Sequence, residues 1–142
     1  LAARAWGRGV EGLLEKFLKQ KNRADVEVLS AGVFAPYGLG ASRETLDLLA
    51  KEGIDMSAHR AKRLDSALVK SSDLILAMEG VHEASILKLA PGVKNRLYLL
   101  KEFAKIYDND SSVSDPVGCG IDFYARTFRI IKEAVERIVD II

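Results

Sequence analysis

The chain has 142 residues, of which 49% are hydrophobic and 29% are charged, and this composition predicts one folded domain spanning residues 1–142. Twenty-one Lys and Arg residues against twenty Asp and Glu residues leave a net charge of +1, so nothing indicates nucleic acid or an anionic membrane as a partner. One cysteine excludes a disulfide framework, and with two histidines it argues against a Cys/His zinc site. No apolar run approaches the ~20 residues of a membrane helix, and no signal peptide is evident, so we expect a cytoplasmic protein.

The first half of the chain predicts two amphipathic helices around a short strand. Apolar residues recur at helical spacing over 10–18. The segment 26–30 has the pattern of a strand, and the Pro and Gly residues of 33–40 predict a loop. A second helix is predicted over 42–50, with Gly53 just beyond its end. The polar face of the first helix is predicted to carry four charged residues, Glu11, Glu15, Lys16 and Lys19.

The second half alternates short apolar runs with helical segments, which predicts an α/β domain with a parallel sheet. A basic loop around Lys62 and Arg63 precedes the first of these segments. A long polar loop is predicted over 107–120, and the last helix carries an apolar stripe from Phe128 to Ile142. Helices are predicted at 65–71 and 81–89, and strands at 74–78 and 97–100.

Three residues are candidates for chemistry, and the residues alone leave each of them open. Asp115 precedes Pro116 in the polar loop, where a carboxylate can act as a general acid or simply form a turn. His59 can be a proton shuttle, a buried hydrogen-bond anchor or a surface residue. Cys119 has no near basic neighbour other than Arg126, which favours an inert thiol.

The order of four motifs resembles the low-molecular-weight protein tyrosine phosphatase family. The motifs are Val28-Leu29-Ser30-Ala31-Gly32, Gly53-Ile54-Asp55-x-Ser57-x-His59-Arg60, Ser72-Asp73-Leu74-Ile75-Leu76-Ala77-Met78 and Asp115-Pro116. Three further stretches are most similar to the bacterial branch that includes protein-arginine phosphatases: 30–35, Leu100-Lys101-Glu102-Phe103 and Gly120-Ile121-Asp122-x-Tyr124.

The resemblance implies a three-layer α/β/α domain of flavodoxin or Rossmann-like type, with a short four-stranded parallel sheet. It also implies a hydrolase that removes phosphate from phosphotyrosine or phosphoarginine on proteins through a cysteinyl-phosphate intermediate. Such an enzyme needs no metal and no cofactor. Its partners would be phosphorylated proteins, and we expect a monomer or a weak dimer.

The resemblance also implies a role for each residue that matches. Asp115 would protonate the leaving group and then activate water. Ser30 and His59 would hydrogen-bond to the phosphate loop and preorganise it. Val117 stands where the family usually has an aromatic residue, which removes one wall for a phenyl ring, and Tyr37 could supply another.

The chain departs from the family at the nucleophile. The family signature, Cys followed by five residues, Arg and then Ser or Thr, should fall just before Glu11, where the chain has neither a cysteine nor a strand. We therefore expect an N-terminally incomplete domain that is inactive by itself, in which the strand at 26–30 has no neighbour to pair with. The alternatives are a catalytically dead binding or regulatory relative and, least favoured for want of two further cysteines, an arsenate reductase.

Overall fold

A computed structural model describes residues 7–32, 43–55, 62–108, 110, 112–113 and 120–142. Within these ranges helices alternate with short strands, and none of the helices is both long and apolar enough to cross a membrane. The helices are α1 (Gly7–Gln20), α2 (Arg43–Lys51), α3 (Ser66–Ser71), α4 (Gly80–Leu89), α5 (Leu100–Phe103) and α6 (Ile121–Ile141), with a 3-10 helix at Pro91–Arg96. The strands are β1 (Ala31–Gly32), β2 (Lys62–Arg63), β3 (Ile75–Ala77) and β4 (Leu97–Leu99).

The two amphipathic helices predicted at the ends of the chain, α1 and α6, pack against each other. Each buries the apolar stripe that its sequence predicts, because residues three and four apart lie on one helix face. The stripes join in one hydrophobic core, to which α1 contributes Val10, Leu13, Leu14 and Leu18, and α6 contributes Phe128, Ile131, Val135 and Ile138.

Gly53 ends α2 as predicted. Its φ of 75° lies in the left-handed region that glycine adopts without strain. The Gly53 N–H donates to the Ala50 carbonyl (3.0 Å) and the Ile54 N–H donates to the Leu49 carbonyl (2.9 Å). These two hydrogen bonds form a Schellman motif, which satisfies the last carbonyls of the helix.

The parallel α/β prediction is confirmed: β3 pairs with β4 in parallel register, with Leu76 opposite Tyr98, and β1 pairs in parallel with β2. The two faces of β3 are both covered. Leu76 lies in the same core as α1 and α6, whereas Ile75 and Ala77 lie in a second core beneath α4. Strand β3 is therefore buried in the way a central strand of a parallel sheet is buried.

Three boundaries predicted from the sequence are wrong. The segment 26–30 forms no strand, and pairing begins only at Ala31, because a strand exists only where a neighbour completes its hydrogen bonds. The basic stretch Lys62–Arg63 is strand β2 and not loop. Leu100 opens α5 and does not extend β4.

Candidate active site

Ser30 and Glu11 form a buried hydrogen-bonded pair beside the start of α1. The Ser30 hydroxyl donates to Glu11 Oε2 at 2.5 Å, and the two residues are 4% and 7% exposed. A carboxylate withdrawn from water needs such donors, because an unpaired buried charge is costly. The pair thus ties the first turns of α1 to the end of the segment 26–30.

The burial of Glu11 corrects the prediction that placed it on the polar face of α1. Its side chain points into the protein because Glu11 shares a helix face with Leu14 and Leu18, three and seven residues further on. That spacing is visible in the sequence, where it indicates that Glu11 lies on the buried face of the helix. Of the residues predicted to support the site, Ser30 is the one that the structure describes, and it is buried and bonded to this carboxylate.

The polar segment that leads to Asp115 is fastened to β3 at Val113. The Val113 N–H donates to the carbonyl oxygen of Met78 at 2.8 Å. Val113 is 3% exposed and belongs to the main hydrophobic core, and Met78, directly after β3, is fully buried. Two peptide units, at most about 7 Å of extended chain, separate Val113 from Asp115 in the sequence.

A buried lysine holds the same polar segment at Asp108, five residues before Val113. Lys101 on α5 is 5% exposed, and its Nζ donates to both Asp108 carboxylate oxygens (3.1 and 2.9 Å) and to the Asp110 carbonyl (2.7 Å). This hydrogen bonding holds the pKa of the Asp108 carboxyl below its ordinary value. The sequence contains no signal for the burial of Lys101, which lies between Leu100 and Glu102.

Asp108 and Asp110 also shape the backbone between the lysine and Val113. The Asp110 N–H donates to Asp108 Oδ1 (3.0 Å), and the Ser112 N–H donates to Asp110 Oδ1 (2.9 Å). Side-chain acceptors two residues before their donors are typical of Asx turns. Lys101, these two hydrogen bonds and the Val113–Met78 bond thus hold Asp108, Asp110, Ser112 and Val113 in place, and Val113 stands two residues before Asp115 in the sequence.

The remaining predicted site residues lie outside the described residues: Tyr37, His59, Asp115 and Val117, as does Cys119. Among the residues that are described, no three His, Cys, Asp or Glu side chains come together in a group that could hold a metal ion. The described part of the site therefore consists of the Ser30–Glu11 pair and of the anchored residues Asp108, Asp110, Ser112 and Val113.

Comparison with known proteins identifies relatives of this chain. Residues 8–142 match the family described as low molecular weight phosphotyrosine protein phosphatase. The protein-arginine-phosphatase of Geobacillus stearothermophilus is 33% identical over 123 residues, which are 87% of this chain and 78% of that protein. A probable low molecular weight protein-tyrosine-phosphatase of Ralstonia nicotianae is 31% identical over 121 residues, which are 85% of this chain and 75% of that protein.

Solved structures agree with the sequence comparison. The low molecular weight protein tyrosine phosphatase from T. tengcongensis superposes with a TM-score of 0.88 at 33% identity, covering 98% of this chain and 92% of that one. The arginine phosphatase from Geobacillus stearothermophilus superposes with a TM-score of 0.84 at 29% identity, covering 98% of this chain and 86% of that one. The family match over nearly the whole chain and the shared fold lead to one conclusion: the chain belongs to the low molecular weight phosphotyrosine protein phosphatase family.

Proposed function

We propose that this chain supplies the general acid-base residue, Asp115, and the surrounding fold of a protein phosphatase that acts on phosphoarginine. A thiolate attacks phosphorus and the P–N bond breaks, while Asp115 gives its proton to the leaving guanidine nitrogen. Asp115 then takes a proton from water as the water attacks the cysteinyl phosphate. The P–S bond breaks, and inorganic phosphate and the thiolate are released.

The anchoring of Val113 is the observation that carries this proposal. In open parallel α/β sheets, ligands bind beyond the carboxyl ends of the strands. The Val113–Met78 hydrogen bond holds Val113 at the carboxyl end of β3. Val113 precedes Asp115 by two residues in the sequence. That attachment supports the general acid-base role that we propose for Asp115, toward a phosphoryl group bound at the same edge of the sheet.

The buried Ser30–Glu11 pair supports a preorganised site at the end of segment 26–30. Ser30 stands at the start of the Ser-Ala-Gly motif and is tied to the first helix, α1. In our proposal this pair, with His59, holds the backbone that surrounds the phosphate. A rigid support of this kind matters because a misplacement of about 1 Å can cost about 10²-fold in rate.

Val117 favours phosphoarginine over phosphotyrosine as the substrate. It follows Asp115-Pro116, at the place where an aromatic side chain could stack on a phenyl ring. Aromatic pairs contribute about 0.5–1.5 kcal/mol beyond area burial, and an aliphatic residue supplies none of that. The named relative from Geobacillus stearothermophilus is a protein-arginine phosphatase, in agreement with this preference.

The thiolate has to come from outside these 142 residues. Cys119 is the one cysteine of the chain, and the residue six positions later is Ala125, not the Arg that a Cys-x5-Arg phosphate loop requires. We therefore expect no hydrolysis of p-nitrophenyl phosphate by the 142-residue chain alone.

The proposal is tested by supplying the nucleophile. The N-terminal strand and Cys-x5-Arg loop of the Geobacillus stearothermophilus relative are fused ahead of Gly7, and phosphoarginine and phosphotyrosine peptides are assayed. We expect hydrolysis of both, with the higher kcat/KM for phosphoarginine. Replacing Asp115 by Asn in this fusion should lower kcat by about 10²-fold or more, whereas the matched variant Asp47→Asn, on the exposed face of α2, should leave kcat unchanged.

Three results would contradict the proposal. Turnover by the 142-residue chain alone, resistant to thiol alkylation, would refute the cysteinyl-phosphate route. A folded fusion without activity would indicate a catalytically dead relative. Equal loss of activity in the Asp47 and Asp115 variants would remove the role assigned to Asp115.

A further inference from the structure

A cavity of about 260 Å³ lies between α6 and the anchored residues that precede Asp115 in the sequence. One wall is a single face of α6, formed by Phe123 and by the residues three, four and seven positions later, Arg126, Thr127 and Ile130. Lys101 of α5 and three of the anchored residues form the facing wall. Sites for drug-sized molecules measure about 300–1,000 Å³, so this cavity fits a smaller ligand.

Thr127 brings a buried hydroxyl to the cavity. The residue is 9% exposed and lines the wall, yet its hydroxyl forms no hydrogen bond with any described residue. Ser85 on α4 differs, because its hydroxyl donates to the Val81 carbonyl one turn before it. A buried hydroxyl without a partner lowers the stability of the fold, and a ligand in the cavity would supply that partner.

Two charged side chains line the cavity without an ion pair to a described residue. Arg126 is exposed on one wall and Asp110 is exposed on the other. Lys101, which also lines the cavity, is already paired with Asp108. The cavity therefore offers one cation and one anion to a ligand, and a small molecule with charges of both signs complements it.

The rest of the lining is apolar. Val113 is 3% exposed, and Phe123 and Ile130 are half-buried. Burial of an aliphatic group against these three side chains would be favourable. The ligand that the lining describes is thus small, carries both charges and has an apolar body.

We propose that the cavity binds a free α-amino acid with an aliphatic side chain. The Arg126 guanidinium pairs with its carboxylate, for which the planar fork of an arginine is suited, and the Asp110 carboxylate pairs with its ammonium group. The Thr127 hydroxyl donates to the ligand carboxylate, and the aliphatic side chain packs against Val113. This inference does not rest on the proposed phosphatase function.

A bound amino acid would bridge α6 and the anchored residues. Arg126 and Thr127 hold it from the helix, and Asp110 holds it from the segment that leads to Asp115. A ligand that binds the folded state stabilises that state, so binding should protect the Val113 amide, which donates to Met78. The site thereby couples the level of a free amino acid to the attachment of this segment.

The test is a calorimetric titration of the full chain with L-leucine and with two analogues that each lack one charge. Isocaproate has no amine, and isoamylamine has no carboxylate. We expect saturable binding of L-leucine and at least tenfold weaker binding of both analogues. Hydrogen exchange at Val113 should slow when L-leucine is present and should not change with isoamylamine.

Three variants remove the polar partners one at a time. Arg126→Gln and Asp110→Asn should each weaken L-leucine binding at least tenfold, and the Asn side chain can still accept the Ser112 N–H. Thr127→Val should weaken binding several-fold without lowering the melting temperature, because the hydroxyl it removes has no partner among the described residues. The matched control is Arg129→Gln, an exposed position on α6 that does not line the cavity, and it should leave binding unchanged.

Three outcomes overturn the inference. The first is the absence of L-leucine binding to the folded chain. The second is equal affinity for L-leucine and isocaproate, which would indicate a site for simple carboxylates. The third is equal weakening by Arg129→Gln and Arg126→Gln, which would indicate non-specific attraction to the charge of α6. An inactive phosphatase fusion that still binds L-leucine would contradict the proposed function and leave this inference standing.

Discussion

Glu52 is joined to Lys132 by a hydrogen bond of 2.7 Å between Oε1 and Nζ, which links the end of α2 to α6. The other carboxylate oxygen of Glu52 lies 3.4 Å from Lys16 Nζ on α1, and the same ammonium donates to the Glu52 carbonyl at 2.8 Å. One residue, placed where the Schellman motif ends α2, thereby connects three helices around the core.

Replacing Glu52 with Gln should lower the free energy of unfolding by about 1 kcal/mol and the melting temperature by about 3–4 °C. The Lys132 hydrogen bond, above all, lowers the pKa of Glu52. Because the pKa of Glu52 is lower in the folded state, its ion pairs stabilise the protein fully above the unfolded-state pKa of about 4.3. This stabilisation is lost as the pH falls through the folded-state pKa.

Thermal melts between about pH 5 and pH 3 check this linkage. The wild-type melting temperature should fall more steeply over that range than that of Glu52→Gln. The matched control is Glu133→Gln, which removes an exposed pair with Arg137 on the same helix and should cost only a few tenths of a kcal/mol. Parallel pH profiles for wild type and Glu52→Gln would disprove the linkage.

Two glycine substitutions should change stability in opposite directions. A Cβ at Gly53 meets nothing within 4 Å, but the φ of 75° is strained for alanine, so Gly53→Ala should destabilise by about 1 kcal/mol. Gly80, at the start of α4, also has open space around a Cβ and no positive φ, so Gly80→Ala should stabilise by a few tenths of a kcal/mol. Urea denaturation measures both, and the same sign for the two variants would be inconsistent with this explanation.

Removing the Ser30 hydroxyl should destabilise the protein by about 1–3 kcal/mol, because the buried Glu11 carboxylate loses a donor. Ser30→Ala should also speed amide exchange in the first turns of α1, where Glu11 lies. The matched control is Ser85→Ala. The Ser85 hydroxyl donates to the Val81 carbonyl within α4, and its removal should leave the free energy of unfolding nearly unchanged. Urea melts and hydrogen exchange give both readings, and equal effects of the two variants would contradict the role of the pair.

Replacing Lys101 with Met keeps the aliphatic stem and removes the ammonium. We expect the pKa of Asp108 to return toward its ordinary value and the Val113 amide to exchange faster, because Asp108 and the Asp110 carbonyl lose three hydrogen bonds from Nζ. NMR titration of Asp108 and hydrogen exchange at Val113 are the measurements. Lys88→Met, on an exposed position of α4, is the control, and an unchanged Asp108 titration in Lys101→Met would rule out the proposed anchoring.

Much of the helical architecture follows from local sequence. The stripes of α1 and α6 are set by residues three and four apart, and the end of α2 is set by one glycine. The family, too, is recognisable from short motifs in the right order. Each of these features depends on neighbours within a few positions, and a single chain contains that information directly.

Other features depend on partners distant in the chain. Val26–Ser30 has the composition of a strand, yet the ladder begins only at Ala31, where β2 supplies the partner backbone. Glu11 and Lys101 belong to charged residue types that usually lie at the surface. Both can be buried here because Ser30 donates to Glu11, and Asp108 and Asp110 accept from Lys101.

The sequence by itself thus determined the five helices α1, α2, α3, α4 and α6, the parallel α/β class and the family. Only the tertiary structure decided which strand edges are paired, that Lys101 is buried, which group donates to Glu11 and how the segment before Asp115 is anchored. The reason is physical: helical hydrogen bonds close within four residues, whereas strand pairing and the hydrogen bonds of buried charged side chains need groups that folding brings together from further along the chain.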